Sequence, residues 1–142
     1  MSDLQRKVKI NFITSVFSIV FALVGFSYNV WRVQESEHNN TIRLASFKVL
    51  NELAKYEQIL YASFYDKNLI EGSPRKAWVK IGLIVDLSQL ISRSVETKSK
   101  NLEEVWKKEW EEVSTNEESV ERLVTELDKV RKEIKMELTR LE

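Results

Sequence analysis

From Ile10 to Trp31 the chain runs for 22 residues without a charged side chain, and this stretch constrains the fold more than any other feature. At about 1.5 Å of rise per residue a helix of that length reaches roughly 33 Å, against a hydrocarbon core about 30 Å thick. Tyr28 and Trp31 stand at its downstream end, where amphipathic rings favour the headgroup layer, and Arg6, Lys7 and Lys9 flank the other end. The pattern predicts a transmembrane helix over 10–31, preceded by a basic flank over 1–9. A cleaved signal peptide shares the basic-then-apolar layout, but no Ala-x-Ala site follows and the stretch has full spanning length, so an uncleaved signal-anchor is expected. A buried helix of a globular domain is disfavoured, because the segment is apolar nearly all round and the remaining chain is too short to enclose it.

The small and polar residues of this span keep one register. Asn11, Ser15, Ser18, Ala22, Gly25 and Asn29 recur at steps of four and three, which places them within an arc of about 80° on one helix face. Phe12, Phe17, Val20, Phe21, Leu23 and Phe26 occupy the other faces. A seam of small residues lets two backbones approach closely in lipid, so these six positions are the candidate packing face toward a second helix, from a membrane partner or another copy of the chain. Three basic residues before the span stand against Arg32 and Arg43 after it, a bias that places the amino terminus in the cytoplasm and the remaining domain outside it.

The rest of the chain reads as helix. Only three glycines and one proline occur in 142 residues, too few turn formers for a many-stranded β fold. The expected class is therefore all-α: one N-terminal transmembrane helix followed by a small antiparallel helical bundle or coiled-coil-like domain. Gln34 to Thr41 is the most polar stretch, and residues 32–41 are expected as a juxtamembrane stalk or hinge. The helical domain is expected over 42–142. Ile42, Ala45, Val49, Leu53, Tyr56, Leu60 and Phe64 form an amphipathic stripe predicting a helix near 42–66. Ser73-Pro74 opens a second near 74–95; its Trp78–Ile91 stretch is apolar on almost every side and is expected to be the central, buried element. Asn101-Leu102-Glu103-Glu104 resembles a capping box and predicts a third near 101–114, and Thr115-Asn116-Glu117-Glu118 repeats the signature before a fourth near 116–141. In that last segment Val120, Leu127, Ile134 and Leu141 fall seven apart, a pattern that serves equally for packing within the chain or zipping to another.

Motifs for chemistry are scarce. There is no cysteine, and His38 is the single histidine; its Glu35-x-x-His38 turn lacks the second such motif that a helical di-iron site needs. No glycine-rich phosphate loop occurs. With 22 basic and 22 acidic residues there is no field to hold a nucleic acid. No cofactor, metal or small-molecule substrate is expected, and the chain reads as a non-enzyme. Trp106 and Trp110, one helical turn apart, are a candidate partner surface, with burial in the core as the competing explanation. The reading that results is a single-pass membrane protein in contact with the bilayer, acting through protein contacts as an adaptor, accessory subunit or regulator. The alternatives are a holin-like or toxin-like effector that oligomerises in the bilayer, and a helical sensor stub.

Overall fold

The computed structural model describes residues 3–141. Four helices account for 85% of it, with no strand among the described residues: α1 Asp3–Phe64, α2 Pro74–Ser88, α3 Arg93–Glu109 and α4 Glu117–Arg140. The chain divides into two compact units, Met1–His38 and Asn39–Glu142, and α1 contributes to both. No glycine or proline lies between Gly25 and Gly72, so nothing forces a break, and residues 32–41 are helical throughout. The division between units falls inside that polar stretch.

In the first unit every described residue is exposed. The apolar run is left open among the described residues of this unit: Phe12, Phe17, Phe21 and Phe26 are each 65–69% exposed. Only rings one turn apart touch, Phe17 with Phe21 at 5.6 Å and Tyr28 with Trp31 at 6.2 Å between centroids. This helix is long and apolar enough to cross a membrane.

The second unit has a core to which all four helices contribute. From α1 come Ile42, Ala45, Val49, Leu53, Tyr56 and Leu60, the stripe expected from spacing; Phe64, its last member, is only partly buried. From α4 come Val120, Leu123, Leu127, Val130 and Ile134, so the heptad positions are consumed within the chain. Fully burying a leucine or isoleucine contributes about 1.5–3 kcal/mol, and these rows hold the unit together. Trp106 lies at the centre, with Tyr56 edge-on at 5.7 Å and Trp78 edge-on at 5.9 Å. Ion pairs cross between helices at the margin, including Arg131 of α4 with Glu57 of α1 at 2.8 Å.

Several expectations are corrected. The 74–95 helix ends at Ser88, and the 101–114 helix begins earlier, at Arg93. The reason is local: Leu90 and Ile91 N–H groups turn back onto the Leu87 and Ser88 carbonyls, and the Ser92 side chain caps the next helix by accepting from the Val95 N–H at 3.2 Å. Asn101 to Glu104 consequently lie inside α3 rather than at its start. The segment expected to be buried on almost every side buries one face only, through Ala77, Ile81, Ile84, Val85 and Ser88, while Val79 and Leu90 are 65% and 52% exposed. Ser73 and Pro74 do open α2, with Ser73 at the cap position making no side-chain cap bond and Pro74 at the first turn. Asn116, by contrast, caps α4 by accepting from the Glu118 N–H at 3.1 Å.

The connection between α1 and α2 is tightly built. Lys67 occupies left-handed backbone at φ 51°, and its ammonium donates to the Ser114 carbonyl at 2.6 Å and lies 4.6 Å over the Phe64 ring. Asn68 Oδ1 accepts from the Ile70 and Glu71 N–H groups, both at 3.0 Å. Gly72 presses against α1 so closely that a Cβ there would sit 2.4 Å from the Ser63 backbone.

Candidate functional site

Core packing does not account for the exposed apolar helix, for a buried carboxylate beside a groove, or for Leu69 and Ile70 exposed in the α1–α2 connection. On the first, Asn11, Ser15, Ser18, Ala22, Gly25 and Asn29 share one exposed face of α1. The hydroxyls there are turned onto their own helix, Ser15 donating to the Asn11 carbonyl at 2.8 Å, Ser18 to that of Thr14 at 2.9 Å, and Thr14 to that of Ile10 at 3.0 Å. A Cβ placed on Gly25 would meet nothing within 4 Å. Within one chain, this face is open along its length.

The tryptophan pair divides. Trp106 is 1% exposed, which removes it from any surface, and the expectation of a partner surface is corrected at that position: its place in the register, four after Leu102, points it into the core with Val95 and Ser99. Trp110 is half-buried and lines a cleft of about 150 Å³ with Leu69, Gly72, Pro74 and Glu111. His38 and Glu35 lie on the exposed part of α1.

The carboxylate is Glu52, whose side chain is 2% exposed although it sits on a helix studded with charges. Lys80 of α2 reaches it at 2.6 Å, and Lys55 and Lys48 of its own helix at 3.2 and 3.4 Å. Burial alone would raise its pKa, but the lysines prevail, Lys80 foremost, and hold it at about 2 against an ordinary 4.5. Reading charged residues as outward-facing missed this site; the available signal was the pair of lysines one turn to either side of a glutamate adjoining the apolar stripe. Next to it, Lys55, Ile59, Tyr61, Arg75, Val79 and Lys80 are among the residues lining a groove of about 740 Å³ between α1 and α2. Elsewhere, Glu109 accepts from Arg122 and Ser119, which together keep its carboxyl below the usual range.

No protein-family model matches this chain, and neither the curated proteins nor the solved structures searched contain a match. The functional reading therefore rests on the residues and their geometry. Chemically, this geometry offers contact surfaces: an open apolar helix, a cationic groove with an apolar floor, and a loop with exposed aliphatic side chains. Among the described residues no group of three histidine, cysteine, aspartate or glutamate side chains converges as metal ligands would.

Proposed function

We propose that this protein is a single-pass membrane protein that serves as an adaptor, accessory subunit or regulator, acting through protein contacts rather than catalysis. The observation that carries the reading is the exposure of the uncharged run from Ile10 to Trp31, whose phenylalanines are each 65–69% exposed. Contiguous apolar surface of that extent calls for a covering phase, and for an uncharged helical run of 22 residues the bilayer is the covering that fits its length. The Asn11–Asn29 face is then the packing face toward a second membrane helix, with Ser15, Ser18, Ala22 and Gly25 at the closest approach. In this reading the 39–142 unit is a helical bundle, the amino terminus is cytoplasmic, and the bundle lies on the opposite side.

Alkaline extraction of cell membranes tests the span: the protein stays with the lipid if the reading holds and is released if it does not. The cysteine-free chain allows single cysteines to test the face. Crosslinks at Ser15, Ser18, Ala22 or Gly25 and none at Phe17, Val20 or Phe21 are expected. Equal or absent crosslinking on both faces would reduce the span to a passive tether. Loss of membrane potential on expression, which an effector that breaches the bilayer would cause, is not expected.

A further inference from the structure

The packing of the 39–142 unit leaves several large apolar side chains exposed, Leu44, Phe47 and Val79 among them, and displays two together at the tip of one loop. Leu69 and Ile70, at the tip of the α1–α2 connection, are 88% and 74% exposed. The tip is held firmly by the Asn68 side chain, the close seat of Gly72 against Ser63 and the Lys67 bond to the Ser114 carbonyl. Two aliphatic side chains are thus displayed on a preorganised backbone, the arrangement in which association costs least in lost freedom.

Opposite charges flank this projection. On one side is the groove of about 740 Å³. There Lys55, Arg75, Lys76 and Lys80 stand against Asp66 and Glu71. Lys55 and Lys80 share the carboxylate of Glu52 with Lys48, which lies outside the lining. Arg75 makes no ion pair among the described residues, and Lys76 is matched by Glu71. On the other side is the turn after α3, where Glu111 and Glu112 are exposed and in no ion pair among the described residues, against the single ammonium of Lys67 at the Ser114 carbonyl. The two sides belong to one continuous surface, because Glu111 and Trp110 line the same cleft as Leu69, Gly72 and Pro74.

A surface that runs from basic through apolar to acidic is complementary to itself after a half turn. We propose that a second copy of this chain docks here about a two-fold axis, with Leu69 and Ile70 of both copies at the centre and Glu111 of each copy reaching Arg75 of the other. The contact is separate from the span face and does not depend on the reading of that face.

The test uses the purified full chain in lipid nanodiscs. Ile70→Cys places a thiol close to the axis, and oxidation is expected to give a disulfide-linked dimer, whereas Leu90→Cys, in the turn that follows α2, gives little. Arg75→Glu or Glu111→Lys introduced with Ile70→Cys should each lower the dimer yield about tenfold, since like charges meet, and the two together should restore it. Helical content measured by circular dichroism confirms that each variant is folded. The proposal is overturned if Ile70→Cys crosslinks no better than Leu90→Cys, or if the yield is indifferent to the charge reversals.

Discussion

Replacing Glu52 with glutamine tests the electrostatics of the folded unit directly. The carboxylate is 2% exposed and takes three ammonium groups. Its pKa is lowered from 4.5 to about 2, and at about 1.36 kcal/mol per unit this corresponds to about 3 kcal/mol of stability at neutral pH. Lys48 and Lys55 are 52% and 44% exposed, so water screens their share and about 2 kcal/mol is the working figure. The sign follows from the depressed value. The contribution is present in full above the unfolded-state pKa and is lost as pH falls from about 5 toward 2. Denaturant unfolding of the detergent-solubilised chain, followed by ellipticity at several pH values, should therefore show Glu52→Gln less stable than the parent by about 2 kcal/mol at pH 7, with the difference closing by about pH 2. Other carboxylates also titrate in this window, and the difference between the two proteins removes their common contribution. A gap that stays constant from neutral to acid pH would refute the argument.

Gly72→Ala should destabilise the 39–142 unit by about 2–4 kcal/mol in the same assay, because the new methyl meets Ser63 backbone at 2.4 Å and the Asn68 carbonyl at 2.8 Å, and neither can withdraw cheaply. Gly82→Ala should do the opposite, raising stability by about 1 kcal/mol, since it lies inside α2 with nothing within 4 Å of the added carbon. Ser92→Ala removes the cap of α3 and should cost about 1 kcal/mol, with a matching loss of hydrogen-exchange protection at Val95.

Periodicity carried most of the fold. The apolar stripe of α1 and the heptads of α4 were legible because each repeats over three or more turns and each burial decision is made by its own helix. The boundary between α2 and α3 was not, since the sequence around Ser88 to Arg93 lacks glycine and proline, and the turn is set by Ser92 capping α3. Asn101 to Glu104 carries the pattern of a helix start, yet a capping box only satisfies N–H groups that are free, and those of a continuous helix already have partners. The candidate site was legible in the same uneven way. The seam in the span is a property of one helix and can be read from spacing, whereas the groove beside Glu52 depends on Lys80 arriving from another helix 28 residues away. Trp106 shows the limit of composition: a tryptophan amid lysines and glutamates reads as surface or core until Tyr56 and Trp78 are seen on either side of it.

The inward-turned hydroxyls of Thr14, Ser15 and Ser18 bear on what would hold any partnership in the bilayer together. Because each already has an acceptor on its own helix, a neighbouring helix is offered shape and acceptor oxygens, and an interhelical hydrogen bond donated by one of these hydroxyls would first require an existing one to break. In the proposed span, adhesion along this face would then rest chiefly on close packing, leaving stronger polar attachment to groups outside it.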